Sequence, residues 1–375
     1  MTKNSDENRR LQELYAVLLK QNIPFVSYLL PYASEMVMLI QSRSCPIKLT
    51  DFNRLEQFKG FVVSPFAERN HPTFLLEPDF IITGQQIDND SVNKLSKNSF
   101  FIHSKETKNA LQTTTREAFC ANVEKIISGI HSGEFQKVVL SKTKVEELPR
   151  TFNAGDFFLK LCEKYPSAMV YLFQIPEAGC WAGATPEKLL TIENGTASTV
   201  SLAGTQHATG KSVEKYHWLD KEKEEQQFVT QFIEESLKKS GIQNYTKFPT
   251  ENVQAAQLIH LQTKFEFPAA TLKNITGNLV RLLHPTPATG GLPKEPARDF
   301  IFQNEGYDRS YYTGFIGPVN IHAQTHLFVN LRCVQLFEKE YVLYSGAGIT
   351  SSSVPQKEWE ETESKMETVR SVIIS

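Results

Sequence analysis

The chain has 375 residues, with 40 Lys and Arg against 42 Asp and Glu and a formal net charge of −2. This balance argues against nucleic acid or a membrane surface as the main partner, because both attract strongly basic proteins. The polar N-terminal residues lack the apolar segment of a signal peptide, no apolar run reaches the roughly 18 residues of a membrane-spanning helix, and the five scattered cysteines contain no C-x-x-C pair. We therefore expect a soluble cytoplasmic protein without a zinc site or a disulfide framework.

The N-terminal part of the sequence predicts one helix followed by short strands. Residues 9–21 place their apolar side chains on one face of a helix. Apolar segments separated by turn residues then predict strands at residues 25–30, 35–41, 60–65 and 72–76. The next segment, residues 87–109, is rich in Asn, Asp, Ser and Lys, which is typical either of a linker or of a surface loop.

Lys137 is the odd residue in an otherwise apolar strand. A helix is predicted at residues 113–132, and residues 135–145 predict a strand that is buried on both faces. A lysine there loses hydration, which disfavours its charged form, and a neutral amine can act as a general base. A lysine at the end of a strand whose ammonium reaches water is the alternative, and it requires no catalytic role.

Residues 188–205 carry the clearest turn signal. Two β-rich runs flank Asn194-Gly195, and Asn-Gly is typical of a two-residue hairpin loop. In that register Glu187 lies opposite Leu202. Because the residues before Glu187 are small or apolar, its carboxyl is expected to be partly desolvated, which raises its pKa as a general acid requires. The alternative is an exposed glutamate at the entrance of a strand.

Residues 218–239 predict an amphipathic helix with an acidic residue on its apolar face. Glu225 shares that face with Phe228, Val229 and Phe232. A carboxylate in such a position is unfavourable unless a cation or a metal ion meets it. The alternative is an acid in the first turns that complements the helix dipole, which explains Glu225 poorly.

The C-terminal part adds a cation and a glycine-containing turn. Residues 329–336 predict a strand that carries Arg332 among apolar neighbours, and residues 341–344 predict a further strand. Residues 345–348 then predict a turn whose backbone N–H groups are open to a ligand, followed by a helix that begins at Pro355.

Glu358, Glu361 and Lys365 share one face of this last helix. Free amides beside carboxylates and an ammonium suit an anionic ligand, with or without a metal ion. The alternative is a solvated acidic helix after an ordinary turn.

Taken together, these segments resemble the chorismate-utilising enzymes. The resemblance covers about residues 112–370, whereas the first hundred residues match loosely. The matching segments are FQKVVLSK (135–142), GATPEKLL (183–190), SLAGT (201–205), DKEKEEQQFV (220–229), LIHLQT (258–263), LLHPTPATGGLP (282–293), EGYDRSYYTGFIG (305–317), VNLRC (329–333) and YSGAGITSSSVPQKEWEETESK (344–365).

The resemblance implies an α+β fold in which antiparallel sheets are flanked by helices within a single large domain, as in component I of anthranilate synthase. Residues 1–110 would form the N-terminal part of this fold, and residues 111–375 would form the chorismate-binding catalytic region. The resemblance also implies that the protein acts on chorismate with Mg²⁺ as cofactor. We separately expect a monomer that contacts neither nucleic acid nor membrane.

The same resemblance assigns roles by position. Glu225 and Glu361 would bind Mg²⁺, which anchors the ring carboxylate of chorismate, and Mg²⁺ needs few protein ligands because it keeps several waters. Neutral Lys137 would deprotonate a water that attacks ring C2, and protonated Glu187 would give its proton to the departing C4 hydroxyl. The positions implied to bind substrate are Gly204, Thr205, His260, Arg332, Gly346, Gly348 and Lys365.

Two positions indicate which nucleophile attacks. Relatives that form anthranilate do not carry lysine at the position of Lys137, and aminodeoxychorismate synthases typically carry a nucleophilic lysine at the position of Ala203. The resemblance therefore implies water as the nucleophile and isochorismate synthase activity, whose product serves menaquinone or siderophore synthesis. Salicylate synthases share this pattern and eliminate pyruvate as well, and a non-catalytic chorismate-binding relative is a further alternative. Gln226 and Asn330 depart from the residues usual at their positions.

Overall fold

The computed structural model describes residues 5–84, 112–255 and 258–374. Within them the chain forms seven α-helices, which are α1 (Ser5–Lys20), α2 (Arg116–His131), α3 (Ala154–Lys164), α4 (Asp220–Lys239), α5 (Thr276–Leu283), α6 (Lys294–Asn304) and α7 (Pro355–Ile373). Local sequence explains several of their starts. The Thr115 side chain accepts a hydrogen bond from the Ala118 N–H at the start of α2, and Pro355 opens α7 as predicted.

The strands fall into three groups along the chain. The N-terminal strands are β1 (Phe25–Leu29), β2 (Val37–Ile40), β3 (Ile47–Leu49), β4 (Gly60–Ser64), β5 (Thr73–Leu76) and β6 (Phe80–Thr83). The central strands are β7 (Lys137–Glu147), β8 (Met169–Ile175), β9 (Gly179–Thr185), β10 (Lys188–Glu193), β11 (Thr196–His207), β12 (Thr246–Lys247), β13 (Glu251–Ala255) and β14 (Leu258–Pro268). The C-terminal strands are β15 (Gly291–Leu292), β16 (Phe315–Val319), β17 (Thr325–Val329), β18 (Cys333–Leu336) and β19 (Glu340–Ile349).

In the described part of the chain these strands build two sheets with antiparallel neighbours. The first sheet has the order β15-β7-β19-β18-β9-β8-β1-β2-β6. The second has the order β12-β14-β11-β10-β17-β16-β4-β5-β3, and β13 also pairs with β14. The strands before residue 84 therefore complete both sheets, whereas the predicted linker at residues 87–109 lies outside the described residues.

The sheets face each other across an apolar core. Tyr171 and Trp181 of the first sheet belong to the same buried cluster as Phe61 and Phe328 of the second. On the outside, α1, α3 and α7 pack on the first sheet, and α4 and α5 pack on the second. No helix in the described ranges combines the length and apolar composition that crossing a bilayer requires. The predicted arrangement of antiparallel sheets flanked by helices is thus found.

The Asn194-Gly195 hairpin is confirmed, because Glu193 faces Thr196 across the β10–β11 turn. The pairs of this ladder end at Thr191↔Ser198. Glu187 therefore precedes the ladder, and its predicted position opposite Leu202 is wrong.

The predicted turn at residues 345–348 is also wrong, because these residues continue strand β19. Gly346 pairs with Ser141 of β7, and Gly348 pairs with Val139. Glycine has low strand propensity, but pairing with the long strand β7 overrides it. The backbone at these residues therefore serves the sheet rather than an open nest of amides.

The strand predicted at residues 329–336 is broken. Strand β17 ends at Val329 and β18 begins at Cys333, so Arg332 lies in the break between them with a left-handed backbone (φ 49°). The break brings this cation toward the strands and the helix that carry the other predicted site residues, which are described next.

Candidate active site

Lys137 begins strand β7, and the two residues that follow it are buried. Val138 and Val139 are 0% and 4% exposed, as the apolar pattern predicted. The Lys137 Nζ donates a hydrogen bond to Glu225 Oε1 of α4 at 2.5 Å. The two side chains are 14% and 32% exposed. Glu225, which the sequence predicted to need a cation on the apolar face of α4, is therefore paired with Lys137. Phe228, predicted to share that face, is exposed to solvent.

Two glycines of β19 separate this pair from a second one. A Cβ added to Gly348 would lie 2.7 Å from Lys137 Cε and 3.2 Å from its Nζ. Two residues earlier, the Gly346 carbonyl accepts a hydrogen bond from Lys365 Nζ at 2.9 Å. Lys365 also pairs with Glu361 Oε1 of α7 at 2.5 Å. Two lysine–glutamate pairs thus flank a short piece of β19 that carries no side-chain bulk at its glycines.

Glu187 lies in the short connection between β9 and β10. Its backbone carbonyl accepts from the Val329 N–H at 2.9 Å, and its Oε1 accepts from the Thr286 hydroxyl at 3.1 Å. Burial raises the pKa of the Glu187 carboxyl. The Thr286 hydrogen bond and the charges of Lys137, Arg332 and Lys365 oppose this rise without cancelling it. The shift has the direction predicted from the sequence.

Arg332 is the third cation of the site. Burial lowers the pKa of its guanidinium, while the negative charges of Glu361 and Glu187 act in the opposite direction. Lys365 shows the same balance, because burial lowers its pKa and Glu361 raises it. The charges of Lys137, Arg332 and Lys365 therefore act on one carboxyl from strand β7, from the break after β17 and from helix α7.

A bulge in β11 supplies the Gly204 and His260 part of the predicted site. Ala203 pairs with Leu261 and Gln206 pairs with Ile259, so two residues of β11 lie opposite His260 alone. Gly204 has φ +67°. Its carbonyl can only accept, so the His260 Nδ1 at 2.9 Å must carry the proton. Burial lowers the pKa of His260, which favours its neutral form.

Thr205 is the second residue of this bulge. Its backbone belongs to β11, and its side chain is not among the described ones.

Asn330 and Gln226, which depart from the residues usual at their positions, make hydrogen bonds that hold the elements around the site. The Asn330 side chain accepts from the Tyr171 hydroxyl and donates to the Tyr311 carbonyl at 2.8 Å, next to the break that carries Arg332. The Gln226 Nε2 donates to Ser201 Oγ at 2.8 Å, which ties α4 to β11. Both side chains are buried and bonded within the scaffold.

The structure adds two residues that the sequence did not single out. The hydroxyl of Thr286, in the segment before β15, donates a hydrogen bond to the Glu187 carboxyl. Glu222, one turn before Glu225 on α4, has a buried Oε2 without a hydrogen-bond partner among the described residues. Thr286 had no signal beyond its motif, whereas the spacing of Glu222 and Glu225 by three residues could have indicated a shared face.

The carboxylates of α4 and α7 are the type of donor that a magnesium ion takes. Mg²⁺ prefers oxygen ligands and is usually held by one or two protein carboxylates, with water and substrate completing its shell. Glu225 and Glu361 offer such oxygens and are paired with lysines here, and the unpartnered Oε2 of Glu222 is costly to bury unless a cation meets it. Among the described residues, no group of three or more His, Cys, Asp or Glu has a metal-binding arrangement.

Comparison with known proteins gives a consistent result. Residues 78–374 match the family model described as Chorismate binding enzyme. The chain is 29% identical over 245 residues to isochorismate synthase EntC of Escherichia coli (strain K12). The aligned residues cover 64% of this chain and 62% of EntC. It is 31% identical over 265 residues to the salicylate biosynthesis isochorismate synthase of Pseudomonas aeruginosa. The aligned residues cover 69% of this chain and 55% of that relative. The matches thus span less than two thirds of both relatives.

Solved structures share the fold. The menaquinone-specific isochorismate synthase MenF of Escherichia coli superposes with a TM-score of 0.76 at 19% identity, over 100% of this chain and 92% of that one. Anthranilate synthase component I of Streptococcus pneumoniae TIGR4 gives a TM-score of 0.66 at 18% identity, over 92% of each chain. The predicted α+β fold of the anthranilate synthase component I type is confirmed.

Proposed function

Because this chain belongs to the chorismate-binding enzymes, we propose that it is an isochorismate synthase, which converts chorismate into isochorismate with Mg²⁺ as cofactor. The observation that carries the proposal is the environment of Glu187. Its carboxyl has a raised pKa and is acted on by the charge of Lys137. A carboxyl with a raised pKa and a nearby lysine amine are the acid and the base that a displacement of one hydroxyl by another requires.

The cations of the site would bind the substrate. Chorismate carries two carboxylates, and Arg332 can hold one of them through two parallel hydrogen bonds. Lys365 adds a second positive charge and is already fixed by Glu361 and by the Gly346 carbonyl. Gly204, Thr205, His260, Gly346 and Gly348 would line the pocket.

Glu225 and Glu361 would hold the magnesium ion, with Glu222 close to the first of them. When bound, Mg²⁺ supplies positive charge that neutralises the ring carboxylate of the substrate and these acidic side chains.

Lys137 would act as the general base. In the structure its Nζ donates a hydrogen bond to Glu225. The side chain must therefore break this contact and release a proton before its amine can accept a proton from water. The neutral amine then takes a proton from water while the water oxygen forms a bond to ring C2. The ring double bonds shift as the C4–O bond breaks.

Glu187 would act as the general acid in the same displacement. Its proton goes to the departing C4 oxygen, which leaves as water. One water enters and one leaves, Lys137 gains a proton and Glu187 loses one, so the reaction is an isomerisation without an oxidant. Ala203 offers no amine that could attack in place of water.

In this proposal the protein is a cytoplasmic monomer, and isochorismate is its released product. The product would supply menaquinone or siderophore synthesis.

The test is product identification. Purified protein is incubated with chorismate and Mg²⁺ at neutral pH, and the mixture is followed by NMR and by a pyruvate-coupled assay. We expect isochorismate without pyruvate, and loss of turnover when a chelator removes the metal. Release of pyruvate would assign the chain to salicylate synthesis instead, and chorismate that binds but stays unchanged would identify a non-catalytic relative.

A further inference from the structure

One segment touches both the proposed base and the proposed acid. The segment at residues 284–293, named here the bridging segment, ends in β15, which pairs with β7 so that Leu292 faces Lys137. The Leu292 carbonyl accepts from Gln136 N–H at 2.7 Å, and the Gly290 carbonyl accepts from Val139 N–H at 2.8 Å. The backbone on both sides of Lys137 is therefore held by this segment.

The other end of the bridging segment holds Glu187. The Thr286 hydroxyl donates to Glu187 Oε1 at 3.1 Å. The Thr286 carbonyl accepts from the Thr289 and Gly290 N–H groups at 3.0 and 2.9 Å, which closes a turn of the backbone. The Thr289 hydroxyl lies 3.2 Å from the Thr286 hydroxyl. With Thr289 as the donor of this pair, the Thr286 hydroxyl keeps its own proton for the Glu187 carboxyl.

A buried ion pair fixes the bridging segment to β7. Arg309 and Glu305 are 2% and 1% exposed in their side chains. Arg309 donates to the Thr289 and Val139 carbonyls, each at 2.7 Å, and Glu305 accepts from the Ser141 N–H at 2.6 Å. Charge-assisted hydrogen bonds in such a dry site are strong and leave little freedom. The segment and the strand therefore form one rigid unit.

We propose that Thr286 is a positioning residue that aims the Glu187 carboxyl toward the ring, and that the bridging segment sets the separation between this acid and Lys137. The inference rests on the proposed function. It assigns the segment a role in arranging the site, because a change in its geometry would displace acid and base together.

The groups that act on Glu187 differ in how they can be probed. The charged ones are Lys137 from β7, Arg332 from the break after β17 and Lys365 from α7. Thr286 is the neutral one, so its hydroxyl can be removed without a change of charge in the site. A hydroxyl that donates to a carboxylate favours the charged form, so its removal raises the pKa of the acid.

The test compares Thr286→Val, which lacks the hydroxyl, with Thr286→Ser, which keeps it. Chorismate turnover is measured across pH. We expect Val to lower kcat by about tenfold with KM nearly unchanged, and to move the alkaline limb of the kcat profile to higher pH; Ser should restore both. A Val variant with the wild-type kcat and pH profile, or with a raised KM and an unchanged kcat, would overturn the inference.

A second readout does not depend on turnover. The Glu187 carboxyl is titrated by infrared difference spectroscopy, and its band is assigned by its absence in Glu187→Gln. The midpoint should rise in Thr286→Val and in Thr286→Ala, and stay at the wild-type value in Thr286→Ser. Equal midpoints in all variants would sink the positioning role. If wild-type protein leaves chorismate unchanged, the proposed function fails alone, and the titration still decides the role of Thr286.

Discussion

Strand β7 carries two lysines that pair with glutamates, and they serve different ends. Lys142 is 1% exposed, pairs with Glu363 of α7 and has its Nζ 3.0 Å from the centroid of the Trp359 ring. Five residues earlier, Lys137 pairs with Glu225 and its side chain lies against Gly348, where an added Cβ would collide with it.

The comparison teaches that an ion pair alone does not mark an active site. Around Lys142 an aromatic ring occupies the space beside the cation, which is a cation–π contact that fastens α7 to the sheet. Beside Lys137, by contrast, β19 has the glycine Gly348, and two further cations act with Lys137 on the carboxyl of Glu187. A glycine beside the lysine, and the action of several charges on one carboxyl, distinguish the site from the scaffold.

The largest expected effect is the loss of the proposed base. Lys137→Ala should lower kcat by about a thousandfold, within the range that general bases contribute, while Mg²⁺ and chorismate still bind. Turnover and calorimetric titrations measure the two properties. Lys142→Met is the matched control on the same strand, and it should keep turnover within a few-fold of wild type. Near-normal turnover in Lys137→Ala would contradict the assignment of the base.

The second prediction concerns the acid. Glu187→Gln should lower kcat by about a hundredfold or more, because an amide cannot give up a proton. In wild type, turnover should fall as pH rises through the raised pKa of Glu187, since the carboxyl then loses the proton it must donate. The pH profile of kcat measures this fall, and an alkaline limb that survives unchanged in the Gln variant would rule Glu187 out.

The same pKa predicts how stability depends on pH. A glutamate in the unfolded chain titrates near pH 4.3, and the folded value is higher. The contribution of Glu187 to the free energy of unfolding is therefore fully present below about pH 4 and is lost as pH rises through the folded pKa. Urea unfolding across pH should show wild type losing stability relative to Glu187→Gln over this interval. A constant difference between the two proteins would contradict the raised pKa.

The next prediction concerns the contact between Lys137 and Gly348. The Cβ of Gly348→Ala would lie 2.7 Å from Lys137 Cε, and the end of a flexible side chain can move away. We expect the fold to persist and kcat to fall by about tenfold or more, because the amine is displaced. Wild-type activity in Gly348→Ala would mean that the contact between Lys137 and Gly348 has no part in turnover.

The smallest effect on turnover belongs to the structural lysine. Lys142→Ala should lower the free energy of unfolding by about 2 kcal/mol, because the cation–π contact and the packing of the aliphatic stem are lost. Its turnover should stay close to that of wild type. Thermal and urea unfolding measure the loss. A variant that is stable but inactive would remove the distinction between the two lysines.

The sequence correctly predicted elements that depend on a few neighbouring residues, such as a hairpin loop or the start of a helix. The Asn194-Gly195 loop fixed the hairpin register, and Pro355 marked the start of α7. The glycines in β19 led to a wrong prediction, because a Ser-Gly-Ala-Gly sequence is typical of a turn. These residues form a strand because they pair with β7, which is distant in the sequence.

Other features depend on contacts between residues far apart in the chain. The backbone of Arg332 follows from a break that Asn330 supports through Tyr171 and Tyr311, and no periodicity records such bonds. The pairing of Lys137 with Glu225 joins positions 88 residues apart. The resemblance to a family indicated these residues by position, but neither their present partners nor the hydrogen bond from Thr286 to Glu187.

The measurement that tests the central claim most directly is isotope incorporation. Chorismate is converted with Mg²⁺ in water enriched in ¹⁸O, and the product is examined by mass spectrometry and NMR. Water attack at C2 with Lys137 as base and Glu187 as acid predicts isochorismate whose C2 hydroxyl carries ¹⁸O. Product without the label, or no product at all, would contradict it.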